Sequence, residues 1–147
     1  MEERIFENGS DYFQALIRDI NHATHTIDLE TYIFNKDGVG KRIADTLCNA
    51  AMRGVSVRVL VDAAGSPYWS TTLARTLEKS GVKTKVFHPF PWQLWNWSRS
   101  VTKTHFLFKG IYLMFTANSR NHRKICVIDG KIAYVGSINI TACHLTN

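Results

Sequence analysis

Residues 120–141, "RNHRKICVIDGKIAYVGSINIT", place a histidine, a lysine, a hydroxyl and a carboxamide at the outer end of two runs otherwise made of Ile, Val, Cys, Ala and Tyr. Those four groups suit a phosphoryl group. Lysine supplies positive charge, Ser and Asn donate hydrogen bonds, and an imidazole can attack phosphorus or carry a proton. No metal or other cofactor is needed for that chemistry.

Positioning such groups requires a hairpin. Asp129-Gly130 between two apolar runs predicts a two-residue loop. With 129 and 130 as the loop, Ile128 faces Lys131, Lys124 faces Val135 and His122 faces Ser137. Cross-strand partners share a face and successive residues alternate, so His122, Lys124, Ser137 and Asn139 are expected on one side. Asp129 is seven residues from His122, about 20 Å away along a strand, which makes it a turn residue at the far tip. An ordinary polar sheet edge is the alternative reading of the same pattern.

Residues 122–139 read His-x-Lys, four residues, Asp, six residues, Gly-Ser-x-Asn. That pattern resembles the HKD motif of the phospholipase D superfamily. With "IDLETYIFNKDGVGKRIADTL" and "AAMRGVSVRVLVDAAGS", it is similar to the amino-terminal catalytic half of bacterial cardiolipin synthases. The resemblance implies His122 as the residue that forms or protonates a phosphoenzyme, Lys124 as its phosphate-binding partner, and Ser137 and Asn139 as further phosphate contacts. It groups Asp129 with the catalytic residues, whereas the register assigns Asp129 to the hairpin. Glu30, a carboxylate in an otherwise apolar strand, is a candidate to orient or charge-balance the histidine.

The resemblance also implies phosphatidyl transfer, with an anionic, phosphatidylglycerol-like lipid as substrate. A single-motif phosphodiesterase or nuclease acting as a homodimer is the alternative, and a silent remnant is a third. Superfamily members use two such motifs and this chain has one. It is therefore expected to be the first half of a two-motif protein, or one protomer that completes its site with a second copy.

The rest of the chain must supply a scaffold. Apolar residues Phe13, Leu16, Ile17 and Ile20 predict a helix over 10–23 with Ser10 as cap, followed by a strand over 26–34. A helix over 37–54 ending at Gly54, a strand over 55–63, a helix over 70–81 capped by Ser70 or a nearby Thr, and a strand over 82–87 complete the alternation. This predicts an α/β fold, a layered helix–sheet–helix domain with a mixed, mainly parallel sheet. At 147 residues and 45% hydrophobic composition, one domain with a substantial core is expected.

Charge is uneven along the chain. Residues 1–82 hold nine Lys/Arg against eleven Asp/Glu, and residues 83–147 hold nine against Asp129 alone. The basic half would attract anionic lipid or nucleic acid. Residues 87–103, "FHPFPWQLWNWSRSVTK", have no clean period, and with the apolar run 106–115 that follows, residues 88–115 are expected to form a lipid-facing segment beside the site, in which Trp92, Trp95 and Trp97 face a membrane and Arg99 and Lys103 meet its anionic headgroups. That segment favours lipid over nucleic acid as partner. The acidic start lacks a signal-peptide core, and the apolar runs fall short of the roughly 18 residues a spanning helix needs. A peripheral protein on the cytoplasmic side of a membrane is expected, with Cys48, Cys126 and Cys143 as reduced, buried thiols. The histidines outside the motif have no metal-ligand spacing, and the Gly65-Ser66 pair reads as a turn.

Overall fold

A computed structural model describes residues 3–102, 104–116 and 119–145. Helix α1 spans Gly9–His22 and buries Phe13, Leu16 and Ile20 along one stripe. Its cap is Asn8, whose side chain accepts from the Asp11 N–H, rather than Ser10. Strand β1 (Thr26–Thr31) alternates half-buried and buried side chains. Helix α2 (Gly38–Met52) starts at Asp37, which accepts from the Gly40 N–H at 2.9 Å, and buries Val39, Ile43, Leu47 and Ala50. Gly54 ends it at φ 94°, the left-handed conformation that releases a chain from a helix.

Strand β2 (Ser56–Asp62) leads to a short 3-10 turn at Trp69–Thr71 and then to α3 (Leu73–Lys79). Thr72 takes the N-cap position of α3 without making a capping hydrogen bond, the 3-10 turn takes up the residues before it, and the side chain of Ser70, the other expected cap, lies outside those described. Strand β3 (Lys83–Phe87) is followed by a 3-10 stretch at Leu94–Arg99 and by α4 (Phe106–Phe115), a helix in the apolar run beyond the stretch that has no clean period. Strands β4 (Ile125–Ile128) and β5 (Ile132–Val135) close the chain as a hairpin.

The five strands run in the order β3-β2-β1-β4-β5. β1, β2 and β3 are mutually parallel, and β4 is antiparallel to both β1 and β5. The α/β class and the mixed sheet are those the alternating pattern predicts. Helices α2 and α3 each link neighbouring parallel strands in the same direction, so crossovers of one hand lay them on the same face. There α1–α3 meet Ile27, Leu29, Val57, Val59, Val61, Val86, Cys126 and Ile128 in one core. The opposite face carries Asp28, Glu30, Arg58, Leu60, Ile125 and Val127, which are half-buried or exposed. A second helix layer is therefore not formed by α1–α3.

The hairpin register differs from expectation. Ile128 pairs with Ile132 and Ile125 with Val135, one residue out from the two-residue-loop alignment. Asp129 and Gly130 are both left-handed, at φ 52° and 63°, and the Lys131 N–H returns to the Ile128 carbonyl at 3.0 Å. Lys131 thus belongs to the loop instead of pairing. A slip of one residue exchanges the faces of every partner, so Ser137 is not brought to His122 by strand pairing.

Candidate active site

β1 lies at the middle of the sheet, and its carboxyl end is flanked by the end of β2 and the start of β4. Crevices at the carboxyl ends of parallel strands are where open α/β sheets bind ligands. Here that edge holds Glu30 and Tyr32 from β1 and its continuation, Asp62 from β2, and residues 120–124 leading into β4.

His122 is exposed, while Lys124 is only 7% exposed. Lys124 Nζ stands 2.8 Å from His122 Nδ1 and donates to the His122 carbonyl at 2.8 Å. Tyr32 supports both: its ring centroid is 4.7 Å from the imidazole and 5.6 Å from Lys124 Nζ. Burial lowers the Lys124 pKa, because desolvation penalises the ammonium. That shift bears on the histidine's tautomer. A charged Lys124 donates to Nδ1 and leaves the proton on Nε2, whereas a neutral amine accepts from Nδ1–H and frees the Nε2 lone pair for attack. An ammonium has three donors, so two contacts with His122 leave one for a phosphoryl oxygen.

The C-terminal part reaches this edge by a crossing. After β5, Phe34 and Ile140 form a parallel bridge, and Asn139 Oδ1 accepts the Ile33 N–H at 3.1 Å. Residues 136–139 must therefore pass the end of β4, where 122–124 lie. The Gly136 N–H bonds the Lys124 carbonyl at 3.3 Å. Ser137 is exposed and hydrogen-bonded to nothing among the described residues, and Asn139 keeps its Nδ2 without a partner among them. The crossing, not the pleat, sets the course of residues 136–139 past the start of β4.

Glu30 does not touch His122. It accepts from the side chain of Asn121 at 3.2 Å and lies 3.8 Å from Arg123 Nη1, so it holds the residues on either side of the histidine. Asp129, grouped with the catalytic residues by resemblance, sits at the opposite end of β4. Its carboxylate accepts the backbone N–H groups of Thr24, His25 and Thr26, at 2.9, 2.7 and 2.8 Å, and the Thr24 hydroxyl at 3.0 Å. Those hydrogen bonds hold its pKa far below the usual carboxylate range. Asp129 thus joins the hairpin tip to the α1–β1 connection and stands outside the cluster around His122.

The tryptophans divide. Trp92 and Trp95 are exposed. Trp97 instead turns inward against α4, where a Cβ added at Gly110 would lie 3.4 Å from its ring, and its carbonyl accepts from Lys109 Nζ at 2.7 Å. Its membrane-facing role is therefore corrected to one of anchoring α4. Arg99 is likewise engaged, in a two-pronged pair with Glu78 at 2.7 Å, and Lys103 lies outside the described residues. Cys48 and Cys126 are buried, with the Cys126 thiol pushed up to about 12 by desolvation, but Cys143 is exposed; none of the three is in a disulfide. Among the described residues no group of three or more His, Cys, Asp or Glu is placed to hold a metal ion.

Sequence reading missed four contributors. Tyr32 looked like one more aromatic of a strand, and Asp62 like a strand terminus. Asn121 precedes the motif without belonging to it. Gly65-Ser66 buttresses Tyr32: the Ser66 hydroxyl donates to the Tyr32 carbonyl at 3.1 Å and accepts the Phe34 N–H at 2.9 Å.

Solved structures share this fold. Nuc from Salmonella typhimurium, described as a phospholipase D family member, superimposes with a TM-score of 0.57 at 19% identity, covering 91% of this chain and 68% of that one. NucT from Helicobacter pylori gives 0.60 at 21% identity, covering 94% and 72%. The fold is that of the phospholipase D class. Residues 16–146 match the family described as "Cardiolipin synthase, PLD-like domain", and the chain belongs to that family. The cardiolipin synthase of Geobacillus sp. (strain WCH70) is 37% identical over 139 residues, which are 95% of this chain and 24% of that protein. Cardiolipin synthase B of Escherichia coli (strain K12) is 35% identical over 144 residues, 98% of this chain and 31% of the other. The chain thus spans about a quarter to a third of the curated relatives it matches.

Proposed function

We propose that this domain carries the nucleophilic histidine of a cardiolipin synthase-type phosphatidyltransferase. The observation that carries the reading is the His122–Lys124 pair at 2.8 Å, set at the carboxyl edge of a sheet whose sequence falls in that family. In the first step an imidazole nitrogen forms an N–P bond to the phosphodiester, and the P–O bond to the leaving alcohol breaks. The leaving oxygen takes a proton. In the second step an acceptor hydroxyl, such as the glycerol headgroup of phosphatidylglycerol, loses its proton, attacks the phosphohistidine and restores the imidazole. Lys124, Ser137 and Asn139 would hold the phosphoryl oxygens. No cofactor is required.

The partners follow from the surroundings. Exposed apolar side chains on the aromatic segment and α4 support a peripheral membrane surface next to the site. The exposure of His122 supports a second motif-bearing half, or a second copy of the chain, that covers the reacting phosphate and supplies the general acid.

The test is to incubate the protein with phosphatidylglycerol vesicles or a chromogenic phosphodiester and map any acid-labile, base-stable phosphoryl adduct. The adduct is expected on His122, absent in His122→Ala and reduced at least about a hundredfold in Lys124→Ala. An adduct on His88 or His105, undiminished turnover by His122→Ala, or cleavage of nucleic acid in place of lipid would overturn the reading.

A further inference from the structure

Asp62, the last residue of β2, has no solvent exposure. A carboxylate so placed is stable only when it is hydrogen-bonded and faced by positive charge. Its Oδ2 accepts the Asn121 N–H at 2.8 Å, its Oδ1 accepts the Ala64 N–H at 2.8 Å, and Arg120 Nη1 lies 3.7 Å from Oδ1. The residue immediately before His122 is thus held through its backbone by a buried charge.

Arg120 extends the link outward. Its Nη1 donates to the His88 carbonyl at 3.1 Å, and its guanidinium carbon stands 4.3 Å from the centroid of the Phe90 ring. Phe90 is stacked on the exposed Trp92 at 4.8 Å. His88 has φ 36°, a left-handed conformation that a residue with a side chain seldom adopts, and which is maintained only where surrounding contacts hold it. Its carbonyl, at the end of β3, meets Arg120 in that conformation. Asn121 is fixed a second time through Glu30, and its Oδ1 accepts the Arg123 N–H at 3.3 Å. Residues on both sides of the exposed His122 are therefore tied down, from β1 and β2.

We infer that Asp62 is a positioning residue for His122, and that through Arg120 the same carboxylate fixes the aromatic segment 88–92 relative to the imidazole. A catalytic group displaced by about 1 Å loses on the order of a hundredfold in rate, so a buried, charge-assisted hydrogen bond one residue away has leverage. The segment that would meet a lipid surface and the residue that would attack its phosphate then share one anchor. Only this last link, and the kinetic arm below, rest on the proposed function.

The test uses the full chain carrying Asp62→Asn or Arg120→Gln. An amide keeps the shape but offers one acceptor oxygen in place of two and no charge against Arg120. In Asp62→Asn the Asn121 amide is expected to exchange with solvent at least about tenfold faster while core amides such as Val59 are unchanged, and the ring contact between His122 and Tyr32 to weaken by NMR. The rate of adduct formation per folded molecule is expected to fall about 10- to 100-fold with KM within about twofold, a fall that loss of folded protein does not account for once the rate is referred to the folded fraction. In Arg120→Gln the Asn121 amide stays protected and the Phe90 and Trp92 resonances shift. A folded Asp62→Asn protein with unchanged Asn121 exchange and an unchanged His122–Tyr32 contact would overturn the inference. If Asp62→Asn does not fold, Arg120→Gln decides, since unmoved Phe90 resonances would sink the shared anchor. If the parent forms no adduct, the proposed function fails while the exchange and ring-contact measurements still judge Asp62.

Discussion

Lys124 and Asp129, five positions apart, show how burial and hydrogen bonding assign opposite duties to two charged residues of one motif. Burial weakens the proton affinity of Lys124 beside the imidazole, and four donors hold Asp129 ionised at the hairpin tip. The sign of the Asp129 effect on stability follows from linkage. Its carboxyl titrates lower when folded than the value of about 3.9 expected when unfolded, so its stabilisation is complete above that pH and fades as pH falls through it. The melting temperature of the parent is expected to drop from pH 5 toward pH 2. Asp129→Asn should melt several degrees lower at pH 7 and lose much of that acid dependence, as thermal scans at a series of pH values would show. Adduct formation per folded Asp129→Asn molecule should stay within about twofold of the parent, because the residue acts at the far end of β4.

At the scale of elements, α4 reverses the usual helical arrangement. Phe108, Ile111, Tyr112 and Phe115 recur at intervals of three and four and are exposed, with Phe115 at 86%, while Lys109 and Leu113 are buried. A contiguous apolar face of this kind marks a contact surface. Replacing Phe108, Ile111 and Phe115 together by Ser is expected to weaken sedimentation with phosphatidylglycerol vesicles at least about tenfold with an unchanged melting temperature. Trp97→Ala should lower the melting temperature instead, since its ring lies against Gly110 inside the segment. Elsewhere, a Cβ at Gly65 would come within 2.2 Å of the Tyr32 carbonyl. Gly65→Ala should therefore displace Tyr32 and reduce adduct formation about tenfold or more, with the His122–Tyr32 ring contact as a parallel readout. The helix layer is less forgiving of truncation than of surface change: Ile43→Ala, at a side chain with no exposure, should cost about 2–5 kcal/mol by urea unfolding.

For the whole molecule, the proposed membrane role would rest on two separable attractions toward a lipid surface. The basic half, with nine Lys/Arg against one Asp, would act through a screened field, and the exposed apolar face through burial. Raising salt from about 0.05 to about 0.5 M should weaken vesicle binding several-fold without abolishing it, and the Phe108, Ile111 and Phe115 replacement should remove the salt-resistant part. Among the described residues no helix is long and apolar enough to cross a membrane. Local chemistry made the alternation of helices and strands legible in the chain, because apolar period, Gly54 and the Asp-Gly turn act over a few residues. The His-x-Lys motif was legible for the same reason: its two side chains meet within three residues. Register was not, because whether Lys131 pairs or joins the loop depends on Asp129 binding Thr24–Thr26, more than 100 residues away in sequence. Trp97 facing inward, α4 facing outward, and Asp62, Glu30 and Tyr32 meeting the motif were likewise decided by tertiary structure. Each depends on strands from distant parts of the chain ending at one edge of a single sheet, where a side chain's partner is set by topology and not by its neighbours in sequence.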